Sequence, residues 1–243
     1  MPTGPTPRAL LLDALGTLLA LEPPAPALRA ELARRFGIKL SEAQAKRAIA
    51  AEIAYYRAHL DEGRDPATLL ELRERCAERL REAVPEVPAL ALVPLDELID
   101  ALLASLRFRP QPNALAALRD ARARGLAVVV VSNWDVSLHG VLAELGLAPL
   151  LRGAITSAEA GVRKPAPEIF RRALVLAGGV EPRRALHVGD QEEEDVAGAR
   201  AAGIEPVLLA RAPVAPPPGV ETIPDLGALA ALLERRGARR REP

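Results

Sequence analysis

The sequence predicts an α/β fold, in which a Rossmann-like parallel sheet is covered by helices on both faces and interrupted by an all-helical insertion. Short apolar runs alternate with helical segments beyond residue 108, and this alternation is typical of parallel sheets. Residues 27–107 instead repeat apolar side chains at helical spacing and contain no strand pattern. We therefore place an α/β core domain in residues 1–20 and 108–243 and a helical domain in residues 21–107.

The composition excludes several classes of protein. Equal numbers of acidic and basic residues, 32 each, argue against a strongly basic nucleic-acid binder, although not against a local patch. The single cysteine, Cys76, cannot form an internal disulfide or a multi-cysteine zinc site. No apolar run approaches the roughly 20 residues of a membrane span, and the first residues lack the order of a signal peptide. We expect a cytoplasmic protein without nucleic-acid or membrane partners, as a monomer or a homodimer.

The first predicted element is a buried strand. The apolar run Ala9–Leu12 ends at Asp13 and is bounded by Gly16, as expected for a strand inside a parallel sheet. The chain then enters a proline-rich bend at Glu22–Pro26.

The helical domain is predicted to contain four helices. Apolar residues recur at helical spacing in each of them, and capping residues mark their ends. The first helix is expected from about residue 27 to Phe36, with Gly37 ending it, and the second from an N-cap at Ser41 to about Leu60. The third is expected from Asp65-Pro66 to just before Pro85, and the fourth from Pro94-Leu95 to about Leu106.

The second half supplies the rest of the core. Helices are expected at Ala114–Arg124, Val136–Leu145, Pro167–Leu176, Val196–Ala202 and Leu226–Arg235. Strands are expected at Ala127–Val131, Gly153–Thr156, Ala185–Val188, Pro206–Ala210 and Glu221–Ile223, with a proline-rich loop at Ala212–Gly219. Parallel sheets bind ligands at the carboxyl ends of their strands. Asp13, Ser132-Asn133 and Asp190 each follow a predicted strand, so we expect them to meet at one edge.

The residues beyond the first two strands suit phosphoryl chemistry. Asp13 can attack an electrophile and form a covalent intermediate, or it can simply cap a turn. Gly16 permits an unusual backbone, and the Thr17 hydroxyl can hold the loop by hydrogen bonds. Ser132 and Asn133 offer donors for the non-bridging oxygens of a phosphoryl group, although they can also cap the next helix.

Lys164, Asp190 and Asp195 complete the candidate site. Only three of the 32 basic residues are lysines, so the lysine at 164 indicates a specific need for a compact ammonium, against the alternative of a solvated surface lysine. Asp190 and Asp195 lie five residues apart on a strand-to-helix turn, and carboxylate oxygens are natural ligands for Mg²⁺. His59, His139 and His187 have no metal-binding spacing and are expected to be structural or exposed.

Four segments in this order resemble the haloacid dehalogenase-like hydrolase superfamily over essentially the whole chain. They are Asp-Ala-Leu-Gly-Thr at 13–17, Val-Ser-Asn at 131–133, Lys-Pro at 164–165 and the acidic Gly-Asp-Gln-Glu-Glu-Glu-Asp at 189–195. The stretches SNWDVSLHGVLAELGL, TSAEAGVRKPAPEIF and HVGDQEEEDVAGARAAGI look most like the subgroup of haloacid dehalogenase-like domain-containing protein 3.

The resemblance implies Mg²⁺-dependent hydrolysis of a small phosphorylated metabolite through an aspartyl-phosphate on Asp13. It implies that Asp13, the Leu15 carbonyl and Asp190 bind Mg²⁺ directly, and that Asp195 orients them and Lys164. It also implies that the helical domain is a cap that closes over the site and selects the substrate.

Leu15 departs from the phosphatase pattern of that superfamily, which usually has a second aspartate two residues after the nucleophile. General acid–base assistance is worth about 10²–10⁴-fold, so we expect weak activity on alkyl phosphates and better activity on acyl or aryl phosphates. Two alternatives stay open. Haloacid dehalogenases of the superfamily also lack the second aspartate, although they replace the metal-binding aspartate that this chain keeps as Asp190. The fold could also serve as a binding module with weak or no catalysis.

Overall fold

A computed structural model describes residues 5–211 and 217–237. The chain folds into two compact units, one of residues 1–20 and 110–243 and the other of residues 21–109. The second boundary lies two residues beyond the predicted one. Residues 212–216, which make up most of the predicted proline-rich loop, lie outside the described part of the chain.

The first unit is built on a six-stranded parallel sheet in the order β5-β4-β1-β6-β7-β8. The strands of the protein are β1 (Ala9–Leu12), β2 (Leu19–Leu21), β3 (Phe108–Pro110), β4 (Ala127–Ser132), β5 (Gly153–Thr156), β6 (Ala185–Gly189), β7 (Glu205–Leu209) and β8 (Glu221–Ile223). The parallel α/β architecture predicted from the alternating pattern is confirmed.

Helices connect the strands and form the second unit. They are α1 (Pro24–Phe36), α2 (Glu42–His59), α3 (Pro66–Glu82), α4 (Pro88–Ala91), α5 (Leu95–Ser105), α6 (Ala114–Ala123), α7 (Leu138–Glu144), α8 (Ser157–Ala160), α9 (Pro167–Leu176), α10 (Gly198–Ala201) and α11 (Leu229–Arg235). No helix among the described residues is both long enough and apolar enough to span a bilayer.

The sheet is held by apolar side chains on both of its faces. All four residues of β1 are buried, and so are the valines at 128–131 in β4. On one face, Leu11 and Val129 pack in the same cluster as Ile169 and Phe170 of α9. Because strand residues alternate between the two faces, a run that is apolar throughout needs cover on both sides.

The helical unit has a core of its own, and two of its helices begin with reciprocal capping hydrogen bonds. The Ser41 hydroxyl and the Gln44 side chain exchange hydrogen bonds with each other's backbone at the start of α2, and Asp65 and Thr68 do the same at α3. Gly37 ends α1 in the left-handed conformation, with φ of 69°. The predicted starts of α2 and α3 and the predicted end of α1 are therefore confirmed. α4 is an additional short helix that the sequence pattern did not predict.

Several local predictions were wrong. The predicted bend at Glu22–Pro26 is the start of α1, because proline is compatible with the first turn of a helix, where the backbone N–H groups have no helical partner. β2 and β3, which pair with each other and contain the two unit boundaries, are too short to leave a pattern. The helix predicted from Val136 begins at Leu138, and Asp135 accepts a hydrogen bond from the Ser137 backbone before it. A π-helical segment, Glu192–Ala197, precedes α10.

Candidate active site at the carboxyl ends of the strands

Strand register brings the predicted site residues to one edge of the sheet. Leu12 of β1 pairs with Val130 of β4 and with Val188 of β6, so the residues that follow all three strands are adjacent. The Asp13 backbone N–H donates to the Val188 carbonyl at 3.0 Å. Ser132, the last residue of β4, donates its hydroxyl to Asp13 Oδ1 at 3.2 Å.

Lys164 lies between two buried carboxylates. Its Nζ is 2.6 Å from Asp13 Oδ1 and 2.6 Å from Asp195 Oδ1. The lysine side chain is only 1% exposed, so these contacts replace its lost hydration. The structure therefore excludes the alternative of a solvated surface lysine.

Asn133 holds the backbone of that lysine. Its side-chain oxygen accepts from the Lys164 N–H at 2.8 Å, and its side-chain nitrogen donates to the Lys164 carbonyl at 3.1 Å. Both polar atoms of the Asn133 amide are thus used to position Lys164. The predicted contact of Asn133 with substrate stays a prediction.

The buried charges shift each other's ionisation. Burial raises the pKa of Asp13 to about 7, although the ammonium of Lys164 opposes the increase. Burial would also raise the pKa of Asp195, but Lys164 and His187 outweigh it and hold that pKa below its ordinary value. Burial alone would lower the pKa of Lys164, but Asp13 and Asp195 more than compensate and raise it. The lysine therefore stays charged, and Asp195 is its firmly ionised partner.

The acidic residues form an arrangement that fits a divalent cation. Ligand atoms of Asp13, Asp190 and Asp195 lie within 4.8 Å of one another, and one lysine offsets three carboxylates. Asp190 Oδ1 is buried without a hydrogen-bond partner among the described residues, and burial raises the pKa of this carboxyl. A buried acceptor without a partner is costly, and a cation would satisfy it. The donor set, all carboxylate oxygen, matches the preference of Mg²⁺.

Asp195 differs from the other two carboxylates because both of its oxygens are already engaged. Oδ1 accepts from Lys164 and from His187, and Oδ2 accepts from the Gln191 backbone N–H at 3.0 Å. These contacts suit a residue that orients its neighbours. Asp13 and Asp190 are less engaged, so they are the more available ligands.

Gly16 is required by the close approach of Asp190. A Cβ atom at Gly16 would lie 2.4 Å from Asp190 Oδ2, and the backbone there has φ of +95°, which favours glycine. The neighbouring Leu15 side chain is 39% exposed. Thr17 is fully buried, but its hydroxyl oxygen has no hydrogen-bond partner in the described residues. The expectation that this hydroxyl holds the loop by hydrogen bonds was therefore wrong.

His187 and Arg211 also lie at the site, and neither was predicted from the sequence as a site residue. His187 Nε2 lies 2.9 Å from Asp195 Oδ1, and because a carboxylate only accepts, Nε2 carries the proton. The ring packs edge-on against Phe170, with centroids 4.9 Å apart. Burial lowers the pKa of His187. Its position two residues before Gly189 on β6, on the same face of the strand, was the available signal.

Arg211 reaches the loop after β1, where its guanidinium donates to the Gly16 carbonyl. Nothing in the sequence marks this arginine among the many others, because only the fold places the end of β7 beside that loop.

The comparisons with known proteins agree with the resemblance stated above. The family model of haloacid dehalogenase-like hydrolases matches residues 7–203. The haloacid dehalogenase-like hydrolase domain-containing protein 3 of Bos taurus is 45% identical over 97 residues, which are 40% of this chain and 38% of that protein. A phosphoserine phosphatase of Thermus thermophilus is 40% identical over 132 residues, 54% of this chain and 52% of that protein. The chain thus spans roughly two fifths to one half of these curated relatives.

Solved structures show the same fold. A HAD phosphatase from Thermococcus onnurineus superposes with a TM-score of 0.64 at 23% identity, covering 96% of this chain and 100% of that one. A 2-haloacid dehalogenase from Pseudomonas syringae superposes with a TM-score of 0.66 at 22% identity, covering 94% and 99%. Because the phosphatase and the dehalogenase superpose on this chain equally well, the fold does not distinguish between the two reactions.

Proposed function

The chain belongs to the haloacid dehalogenase-like hydrolase family, and from that premise we propose that it hydrolyses a small phosphorylated metabolite through an aspartyl-phosphate on Asp13, with Mg²⁺ as cofactor. The observation that carries the proposal is the cluster at the carboxyl ends of β1 and β6, where the buried Asp13 pairs with the buried Lys164 and the half-buried Asp190 lies close to Asp13.

Asp13 is held in a way that suits a nucleophile. Both side-chain hydrogen bonds that described residues donate to its carboxylate reach Oδ1, from Lys164 and from Ser132. Oδ2 has no such donor among those residues. In the proposed first step, a carboxylate oxygen of Asp13 bonds to phosphorus while the bond to the leaving oxygen breaks. In the second step, water attacks phosphorus, phosphate leaves and the carboxylate is regenerated.

Lys164 supplies positive charge where the phosphoryl oxygens would lie. It is fixed from two sides, because Asp195 binds its ammonium and Asn133 binds its backbone. A preorganised cation needs no rearrangement as the transferring group gains charge, which is the main source of electrostatic catalysis.

Mg²⁺ would be held by Asp13, Asp190 and the Leu15 carbonyl. Asp195 would orient these ligands. When bound, the ion would neutralise the carboxylates and the phosphate dianion. The buried Asp190 oxygen without a partner supports this role. Gly16 leaves room for Asp190 beside the loop.

Leu15 sets the expected choice of substrate. Its hydrocarbon side chain can neither protonate a leaving oxygen nor activate water, so leaving groups that need little protonation are favoured. The relative named phosphoserine phosphatase supports a small phosphorylated compound as the substrate class. The cytoplasmic location belongs to the same proposal.

Leu15 also favours a second candidate, in which Asp13 displaces halide from carbon. Halide needs no acid in order to leave. Asp190 argues against this reaction, because its buried Oδ1, which has no hydrogen-bond partner among the described residues, suits a cation beside Asp13 and has no role in halide displacement.

A paired assay tests the proposal. One arm measures phosphate release from p-nitrophenyl phosphate and acetyl phosphate with and without Mg²⁺, and the other measures chloride release from 2-chloropropionate. Asp13→Asn is the blank, and Asp100→Asn, an exposed position in α5, is the matched control. Metal-dependent phosphate release that is abolished in Asp13→Asn and kept in Asp100→Asn is the expected result. Chloride release without metal would establish the second candidate. Silence in both arms would contradict hydrolysis of these substrates and favour a binding module.

A further inference from the structure

The opposite edge of the same sheet carries a cluster of arginines. An arginine immediately precedes the first residue of three strands: Arg8 precedes β1, Arg152 precedes β5 and Arg184 precedes β6. Because the strands are parallel, these three residues lie at the same edge. Arg8 and Asp13 are five residues apart along β1, so this edge lies about 16 Å from the acidic site at about 3.3 Å per residue.

The arginines line a cleft of about 790 Å³ in the first unit. Arg122 and Arg183 join the three strand-entry residues around it, and Glu181 is the one acidic residue of the lining. We name this the amino-edge cleft. The backbone fixes its floor, since the Arg8 N–H donates to the Arg184 carbonyl and the Arg152 N–H donates to the Val128 carbonyl, both at 2.7 Å.

Most of the guanidinium charge in the amino-edge cleft is unpaired. Of the five arginines, only Arg183 has a carboxylate partner among the described residues, Glu181 at 2.9 Å. Arg152 and Arg184 each donate Nε to a backbone carbonyl, those of Leu176 and Thr6. These bonds orient the guanidinium groups but leave their charge unneutralised.

Capping of helix ends accounts for only part of the cluster. α6 and α9 end at this edge, near Gly125 and Ala177, and their carboxyl ends attract positive charge. Each end is equivalent to roughly half an elementary charge. Two such ends therefore balance about one of the four arginines that lack a carboxylate.

We propose that the amino-edge cleft is a binding site for a small polyphosphate anion, separate from the acidic site. Arginine forks bind phosphate oxygens in pairs, and several converging forks favour a ligand with several phosphate groups. The volume lies within the range of small-molecule sites. The arginines surround a confined cleft in a chain with no net charge, which favours a small anion over a nucleic-acid strand. A nucleoside triphosphate and inorganic tripolyphosphate share this chemistry.

Calorimetric titration with two probes, tripolyphosphate and ATP, tests the proposal. The full-length chain is titrated in EDTA as wild type, as R8Q/R152Q and as R64Q/R119Q. The control pair removes the same charge from exposed arginines outside the amino-edge cleft. All three proteins keep the acidic site, so any binding there is common to them. Thermal melts confirm that each variant is folded.

We expect wild type and R64Q/R119Q to bind at least one probe equally, and R8Q/R152Q to bind it on the order of tenfold more weakly or worse. Tighter binding of ATP than of tripolyphosphate would identify a nucleotide as the source, and equal binding would identify the polyphosphate chain. Equal weakening in both variants, or no saturable binding to wild type, would overturn the proposal and leave the arginines as caps of helix ends.

Discussion

The two edges of the sheet differ in the burial and the pairing of their charged side chains. At the carboxyl edge, Lys164 is buried together with Asp13 and Asp195, and its ammonium contacts each carboxylate at 2.6 Å. At the amino edge, Arg8 and Arg152 are exposed and have no carboxylate partner among the described residues. Charges that are buried must be paired, whereas charges in water tolerate an excess of one sign. The carboxyl edge therefore holds its charged groups in a fixed geometry, whereas the amino edge carries an excess of positive charge that attracts anions.

Lys164→Met should have the largest effect on stability. It leaves Asp13 and Asp195 buried without their cation, and loss of one partner of a buried ion pair costs about 3–5 kcal/mol. Arg152→Gln at the exposed edge should change the free energy of unfolding by no more than about 0.5 kcal/mol. Urea unfolding in EDTA measures both. Similar losses in the two variants would contradict the comparison.

Mg²⁺ should stabilise the folded protein by binding at the carboxyl edge. At 100 times its dissociation constant, a bound ion contributes about 2.7 kcal/mol, which corresponds to an increase in Tm of roughly 5–10 °C. Asp190→Asn should remove the increase, because it converts a ligand oxygen into an amide, while Asp100→Asn should keep it. Thermal melts with and without Mg²⁺ check this. An unchanged Tm of wild type at saturating Mg²⁺ would exclude the site.

Glu52 of α2 is buried, as Asp13 and Asp195 are, but it lies in the helical unit and has no cation partner among the described residues. Burial raises its pKa from 4.5 to about 7, against the hydrogen bond with Cys76. Its contribution to stability is therefore fully present below pH 4.5 and is lost as the pH rises through 7. Glu52→Gln should be more stable than wild type at pH 8 by about 1–3 kcal/mol. Urea unfolding at pH 5 and pH 8 tests this, with the exposed Glu71→Gln as control. A difference between wild type and Glu52→Gln that is the same at both pH values would show that the ionisation of Glu52 does not matter.

Leu15→Asp should have the smallest effect of the four, and we expect it to change the rate of hydrolysis without changing the stability of the protein. An aspartate can protonate the leaving oxygen, and Leu15 is exposed enough to accept a charged side chain. A well-positioned acid contributes about 10²–10⁴-fold, and an aspartate introduced without neighbours that position it should recover only part of this, so we expect turnover of an alkyl phosphate to rise about tenfold, and that of p-nitrophenyl phosphate to rise less. Leu15→Asn is the matched control. Equal gains on both substrates would indicate that another group already supplies the proton.

Part of the carboxyl edge was readable from the sequence, because several of its residues follow an apolar run or break the composition. Asp13 and Asp190 follow strands, and Lys164 is one of three lysines. The fold was readable for the same reason, since strands buried on both faces stay apolar throughout. The amide contacts of Asn133 and the contact between His187 and Asp195 were not predictable, because they depend on side chains meeting across the sheet.

The amino edge left no signal in the sequence. Its arginines are scattered from residue 8 to residue 184 among many others, and only the strand order brings them together. The short strands β2 and β3 are a related case, because the three residues of each strand are too few to establish a period.

Covalent labelling can detect the proposed aspartyl-phosphate on Asp13. The chain is mixed with ³²P-labelled acetyl phosphate and Mg²⁺, quenched in acid, in which acyl phosphates survive, and digested with pepsin at low pH, and its peptides are separated. We predict label on the peptide that contains Asp13, with release by hydroxylamine and no label in Asp13→Asn. Phosphate release by wild type without label on that peptide, or label that persists in Asp13→Asn, would contradict the claim that Asp13 is the nucleophile.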